Sequence, residues 1–467
     1  MVWSTDEIAE PERKPFWRRK RWWFAGALAV VSLAVILQVV KNRSEIARQL
    51  AAIRDRGEPT NLAELELYYK SPPPDQDVTQ IWREGAVPIA AATTYQAARR
   101  IPFFGDVGAP PLLGEPWPEI ERSRQLLQSN AVALQKLHDA AARGGQARYP
   151  IGLAAQLDNS QLLRNAARCL ALEANVRAHD GDLSGAAESI RTGLLLSQSM
   201  AEAPTSISQL IRVSLHSMII HELRRIGPVN LPDADLQRLQ EAFSQIEFSS
   251  AVKRVAIGER AYGISMFDDP NSVGALPKHL QYASKLTHSM DLVTFLRLTT
   301  ELVDLGDLSW PERTAAMDEW ARRNSIRVTR LHGLSQLLAP MYPMMHTMFA
   351  RSETQNRLAA VDVAIARYKQ RHGRWPESLD ALVPDFLAEA LHEPITAAPF
   401  AYRTTDEGYL LYSPPNGRSS ALLGNADPET GGDPRLVFRW PPLPDDEPET
   451  STVEGTDEPS DSPEGEG

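Results

Sequence analysis

Residues 22–40 read WWFAGALAVVSLAVILQVV, a run of 19 positions in which only Ser32 and Gln38 are polar. Nothing else in the chain restricts its folding so severely. As a helix the run is roughly 28 Å long at about 1.5 Å per residue, close to the ~30 Å hydrocarbon core of a bilayer. Arg13, Lys14, Arg18, Arg19, Lys20 and Arg21 precede it, whereas Lys41, Arg43 and Arg48 come after it more sparsely. The positive-inside rule then keeps the N-terminus in the cytoplasm and exports the C-terminal bulk of the chain. Trp17, Trp22 and Trp23 stand where interfacial aromatics belong. A cleaved signal peptide would need a small-x-small site after the run, and Leu37-Gln38-Val39-Val40-Lys41-Asn42 offers none. A core helix of a soluble domain rarely carries so many consecutive apolar residues behind a basic block. The expectation is a retained single-pass anchor in a bacterial inner membrane, with the C-terminal bulk in the periplasm.

The net charge of −11 is unevenly placed. Ten acidic residues and no basic ones lie in 441–467, from Asp445 to Glu466, so residues 1–440 carry about −1. A near-neutral body gives no electrostatic footprint for nucleic acid. The tail is too polar and Pro-rich to fold, so it is expected to be disordered. Cys169 is the sole cysteine, which excludes an intramolecular disulfide and a Cys-rich metal site. Its surroundings, Ala166-Ala167-Arg168-Cys169-Leu170-Ala171, point to a buried, inert thiol.

The expected fold class is mainly α. A basic cytoplasmic segment (1–21) and the transmembrane helix (22–40) lead into a juxtamembrane helix and Pro-rich connector (41–118). The charged stretch 43–56 continues the helix until Gly57-Glu58-Pro59-Thr60 breaks it, and Ser71-Pro72-Pro73-Pro74 stiffens the connector. A helical domain covers 119–350. Leu163, Ala167, Leu170 and Ala174 recur at i, i+4, i+7 and i+11, an apolar stripe. Gly181-Asp182 closes that helix, and Leu183, Ala187, Ile190 and Leu194 form the facing stripe of the next. Further helices are expected over 205–225, 232–245, 249–266, 277–302, 311–323, 325–349 and 352–371, with Pro340 and Pro343 kinking or splitting the penultimate one.

An α+β module occupies 351–440. Phe400-Ala401-Tyr402-Arg403 and Tyr409-Leu410-Leu411-Tyr412 flank a turn ending at Gly408, which reads as an antiparallel hairpin. Leu436 to Trp440 supplies a last strand before the acidic tail, 441–467.

The unit around Ala166 to Ser197, with Gly181 at its turn and Ala186 early in its second helix, resembles a tetratricopeptide-type repeat. It recurs with no sustained period of about 34 residues, so an irregular helical domain and a repeat-like scaffold both remain open. The stretch from Asn356 to Asp433 resembles the globular module of type II secretion pseudopilins, especially the major one. Ala366-Arg367-Tyr368-Lys369, His372-Gly373-Arg374-Trp375-Pro376, Ser378-Leu379-Asp380-Ala381-Leu382, Phe400-Ala401-Tyr402 and Leu411-Tyr412-Ser413 before Asn416-Gly417 carry the likeness. The resemblance implies a helix packed on a small antiparallel sheet, and a late loop able to bind calcium. Asn416, Asp427 and Asp433 are the weak candidates for hard oxygen ligands. The chain departs from the family at His392-Glu393-Pro394-Ile395 and at Arg418-Ser419-Ser420-Ala421-Leu422-Leu423. It also lacks the Gly-Phe leader step and the Glu five residues into the apolar helix, so a fibre subunit is not expected. Gly57-Glu58-Pro59, Arg164-Asn165-Ala166-Ala167-Arg168 and Tyr412-Ser413 with Asn416-Gly417 also resemble a class of uncharacterised bacterial single-pass membrane proteins, which implies no activity.

No His-Glu-x-x-His zincin spacing, nucleophile elbow, P-loop or dinucleotide fingerprint occurs. His216 and His221 are five apart and do not share a helix face. His221-Glu222 is expected as a solvated surface pair. Glu259-Arg260 stands in an otherwise apolar helix and is expected as a buried ion pair. Met341, Met344, Met345 and Met348 fill a core or make a soft partner surface. Asp268-Asp269-Pro270-Asn271 reads as a helix-ending loop. No catalytic or cofactor-binding residue is nominated. The functional expectation is a membrane-tethered structural or interaction protein engaging other envelope proteins. The alternatives are a hydrolase-like enzyme using Glu259 and a histidine in a site no linear motif reveals, or a secretion-apparatus accessory factor by fold analogy.

Overall fold

The computed structural model describes residues 16–93, 96–105, 107–268, 278–327, 335–336, 341–414 and 433–442. The chain is mainly helical and divides into two compact units. One comprises Met1–Tyr68, Glu259–Leu302 and Trp320–Met341; the other comprises Tyr69–Gly258, Val303–Glu319 and Tyr342–Gly467. In chain order the helices are α1 (Phe16–Asp55), α2 (Leu62–Tyr68), α3 (Thr79–Thr93), α4 (Ile120–Ser129), α5 (Ala131–Arg143), α6 (Leu153–His179), α7 (Leu183–Gln198) and α8 (Ser206–Ile226). They continue with α9 (Asp233–Ser244), α10 (Ser249–Asp268), α11 (Lys278–Leu305), α12 (Trp310–Arg327) and α13 (Met341–His372). The strands are β1 (Ala401–Thr404), β2 (Tyr409–Tyr412) and β3 (Val437–Trp440).

In the first unit α1 is one unbroken helix of 40 residues, so the apolar run and its charged extension form a single rod. It stops at Gly57, whose φ of +72° is the left-handed conformation that closes helices and that a side chain disfavours. Beyond the apolar run, Ile46, Leu50 and Ile53 recur at i, i+4 and i+7 and pack with Ile264, Phe267, Leu292, Phe295 and Leu296 of α10 and α11. Gly263 lets α10 and α11 approach, because a Cβ there would stand 2.1 Å from the Phe295 ring.

The second unit is built around α6, which is buried on nearly every side from Leu163 to Ala178. Leu163, Ala167 and Leu170 face α3 and α5 in one apolar cluster, while Ala174 joins Ala187, Ile190 and Leu194 of α7 in another. Gly181 (φ +84°) makes the α6–α7 turn, and Asp182 caps α7 by accepting the Gly185 amide at 2.9 Å. The second cluster continues from α8 and α9 through Leu358, Val361 and Ile365 of α13 to Phe400, Tyr409, Leu411 and Phe438 of the sheet.

The sheet is antiparallel in the order β1-β2-β3, with Ala401 opposite Tyr412 and Tyr412 opposite Val437. Along β2, Tyr409 and Leu411 are buried and Leu410 and Tyr412 half-buried, the alternation of a strand with one face on a core. The last strand, expected over 436–440, begins at Val437 because Leu436 ends a short 3₁₀ turn.

The helix break expected between 349 and 352 is absent: α13 runs through. The Ser352 and Thr354 hydroxyls donate to the Met348 and Ala350 carbonyls at 3.0 and 2.8 Å, so these polar side chains are satisfied inside the helix rather than ending it. Pro343 falls in the first turn of α13, where a missing N–H breaks no intrahelical bond. Pro340 and residues 443–467 of the tail lie outside the described residues.

Candidate functional site

The N-terminal half of α1 is the first candidate. Trp23, Phe24, Leu28, Leu33 and Leu37 are 57 to 81 % exposed, so an apolar cylinder stands open around its circumference. One helix near the N-terminus is long and apolar enough to cross a membrane, with only 6 % of its apolar window buried. Exposed apolar surface this extensive marks a membrane or protein interface. At the end of the run polar contacts begin: Gln38 Nε2 donates to Asn42 Oδ1 at 2.9 Å, and Asn42 Nδ2 donates to Ser289 Oγ at 3.2 Å.

Still in the first unit, Arg260 is fully buried and donates to Glu58, while Arg56 approaches the same carboxylate at 3.4 Å. The expected intrahelical pair is therefore corrected. At 100° per residue Glu259 and Arg260 point apart, and Arg260 reaches across to Glu58 of the Gly-Glu-Pro turn. Glu259 itself is half-buried.

The second unit encloses a hydroxyl, imidazole and carboxylate in series. Thr192 Oγ1 lies 2.8 Å from His138 Nδ1, and His138 Nε2 lies 2.9 Å from Glu173 Oε2. A carboxylate only accepts, so Nε2–H donates to Glu173, and the direction of the Nδ1–Thr192 bond follows the protonation of the ring. Ser189 Oγ donates to the same Glu173 oxygen at 2.8 Å, and Arg177 pairs with Glu173 Oε1 at 2.8 Å. The order is that of a hydrolytic relay, but Thr192 has no exposed surface and both imidazole nitrogens are occupied. An acyl carbonyl cannot reach the hydroxyl, and the cluster ties α5, α6 and α7 together instead. Its sequence signal was Glu173 and Arg177, charged residues at i, i+4 within an apolar helix.

His221 and Glu222 correct another expectation, because both are buried. Burial lifts the Glu222 carboxyl to about 7 despite Arg225 and the 2.7 Å hydrogen bond from Asn175 Nδ2. Burial, then the charges of Arg224 and Arg225, lowers His221 to about 3. His216 is also enclosed, its ring edge-on to Phe248 and its pKa lowered by burial to about 3. A neutral histidine on an apolar helix face is compatible with the core, which is why α8 carries both.

Asp362 on α13 is another buried carboxyl. It accepts the Tyr409 hydroxyl from β2, and burial raises its pKa to about 7. Arg224 of α8 donates to the Val437 carbonyl at 2.5 Å and stacks over Phe438 at 4.7 Å, so two helices grip the sheet through polar contacts.

Of the calcium candidates, Asn416 and Asp427 lie outside the described residues. Asp433 is engaged by arginines: its oxygens accept Arg435 Nε and Nη2 at 2.9 and 3.0 Å, and Arg351 stands at 3.6 Å. Burial pushes its carboxyl up, but these contacts hold it below the usual range. A cation would have to displace two guanidinium groups, so Asp433 as folded does not fit a calcium ligand. Among the described residues no cluster of three or more His, Cys, Asp or Glu could hold a metal. Cys169 is buried, and burial pushes its thiol up. Met345 is buried and Met344 is 62 % exposed, so the methionines divide between core and surface. Asp268 ends α10; Asp269, Pro270 and Asn271 lie outside the described residues.

No protein-family model, curated protein or solved structure matches this chain.

Proposed function

We propose that the chain is a single-pass protein of a bacterial inner membrane, with its N-terminus in the cytoplasm, that holds its two folded units on the periplasmic side as a scaffold for other envelope proteins. The exposed apolar half of α1, behind six basic residues, carries this reading. Charge asymmetry supplies the direction. Buried polar groups that saturate one another, as Glu173 does with His138, Ser189 and Arg177, support a structural role over a hydrolytic one. The likeness of the C-terminal module to pseudopilin globular domains rests on its residue run, and α13 packed on a three-stranded antiparallel sheet is the arrangement that likeness implies. Engagement of secretion or other envelope components is proposed on that basis. Two experiments test the reading. Alkaline phosphatase joined after Arg56 is active if the body is exported and inactive if it stays in the cytoplasm. Crosslinking and co-purification from solubilised membranes recovers specific partners; recovery no greater than from an anchor-only chain rejects the scaffold.

A further inference from the structure

We infer that the acidic C-terminal segment, residues 443–467, returns to its own chain and pairs with Arg164 and Arg168 of α6. The inference goes beyond the scaffold role and does not depend on the anchor.

The two arginines stand one turn apart in the run Arg164-Asn165-Ala166-Ala167-Arg168. Residues four apart share a helix face, and like charges there repel. Both side chains are half-buried. Burial, then the charge of Arg164, pulls the Arg168 guanidinium below its ordinary value. Other arginines of α6 and α8 are compensated: Arg177 pairs with Glu173, Arg212 donates to Gln198 and the Glu247 carbonyl, and Arg225 donates to the Pro110 carbonyl. Among the described residues neither Arg164 nor Arg168 has an ion-pair or hydrogen-bond partner for its guanidinium.

The neighbouring helix offers no counter-charge. α8 runs parallel to α6, because Thr205 Oγ1 donates to Gln156 Oε1 at 2.7 Å and Asn175 Nδ2 donates to Glu222 Oε2 at 2.7 Å. Asn175 follows Arg164 and Arg168 on the same helix face. The α8 positions level with the two arginines are therefore about 212 to 216 at equal rise per residue. The first acid on α8 is Glu222, further along and already bonded to Asn175. A negative charge for the pair has to come from elsewhere.

The C-terminal segment supplies it. The Trp440 ring lies against Gly227, the residue that follows α8, so the chain leaves the sheet at that end of the helix. From Gly227 back to the level of Arg168 is roughly 16 Å along α8. Glu454 and Asp457 follow Trp440 by 14 and 17 residues, and a flexible chain of that length spans roughly 20–25 Å. Residues 441–467 carry ten acidic side chains and no basic one, so the charge is complementary. Guanidinium–carboxylate bonds are among the strongest such a pair can form. Tethering holds the carboxylates at an effective concentration near ~1 mM, which favours them over a free acidic peptide.

The test places nitroxides on the full detergent-solubilised chain at Gln161→Cys, exposed one turn before Arg164, and at Thr456→Cys. Cys169 is buried and stays unlabelled in the folded protein. Double electron–electron resonance should give a short, narrow distance distribution at low salt. It should broaden near 1 M salt, where the screening length is about 3 Å. Arg164→Gln combined with Arg168→Gln should abolish the narrow component at low salt. If near-UV circular dichroism shows that this variant has lost its fold, replacement of all ten acids in 441–467 by their amides, which leaves α6 untouched, should abolish it instead. A broad distribution in the otherwise unsubstituted chain overturns the inference, as does a narrow one that survives either replacement in a folded variant. Loss of the narrow component on dilution with unlabelled chain assigns the contact to a neighbouring copy and overturns it too.

Discussion

Asp362→Asn keeps the shape of the side chain and an oxygen able to accept the Tyr409 hydroxyl, but removes the ionisation. In the folded unit burial lifts the Asp362 carboxyl to about 7, whereas in an unfolded chain it titrates near 3.9. Because the folded value is raised, its contribution to stability is fully present below about pH 4 and is lost as pH rises to about 7. The difference of about three units, at 1.36 kcal/mol each, amounts to roughly 4 kcal/mol. Glu222 bends the wild-type profile the same way and the buried histidines bend it oppositely, so the informative quantity is variant minus wild type. That difference should stay within about 1 kcal/mol at pH 4, the scale of one altered hydrogen bond. It should grow in favour of Asn by a few kcal/mol at pH 8. Reversible urea unfolding of the detergent-solubilised chain, followed by near-UV circular dichroism between pH 4 and 8, measures it. A flat difference across that window refutes the claim that Asp362 keeps its proton in the fold.

Four further substitutions probe the remaining contacts. Glu58→Ala removes a carboxylate partner of the buried Arg260 guanidinium and should destabilise the first unit by about 3–5 kcal/mol, whereas Arg56→Ala, which removes the more exposed partner, should cost about 0–1 kcal/mol; equal effects in denaturant titration contradict the assignment. Gly263→Ala drives a methyl into the Phe295 ring and should cost about 1–3 kcal/mol, read as a lower melting temperature. Glu173→Gln keeps the volume but weakens bonds to Arg177, His138 and Ser189, with an expected loss of about 1.5–3 kcal/mol in the second unit by urea titration.

The elements legible in the sequence are those whose signal is periodic and local. The apolar run of α1, the stripe Leu163, Ala167, Leu170 and Ala174, and the hairpin around Gly408 each declare themselves within a short window. Local spacing misleads where a side chain's partner is distant. Arg260 sits beside Glu259 in sequence yet pairs with Glu58, 202 positions away. His221-Glu222 looks like a solvated pair until α6 brings Asn175 over it. Asp362 had a readable signal, one acid within Leu358-Ala359-Ala360-Val361-Asp362-Val363-Ala364-Ile365, because a charge there must find a partner or keep its proton. Its partner Tyr409, in a strand 47 residues on, was not readable. The break foreseen near Ser352 failed because Ser and Thr can satisfy themselves on the preceding turn, which composition does not reveal.

The entire functional account depends on residues 22–40 residing in lipid. Washing membranes from cells producing the intact chain with alkaline carbonate strips peripheral proteins and leaves integral ones. The chain should remain in the membrane pellet at full length. Its release into the supernatant would contradict the anchor, the exported placement of both units and the scaffold built on them.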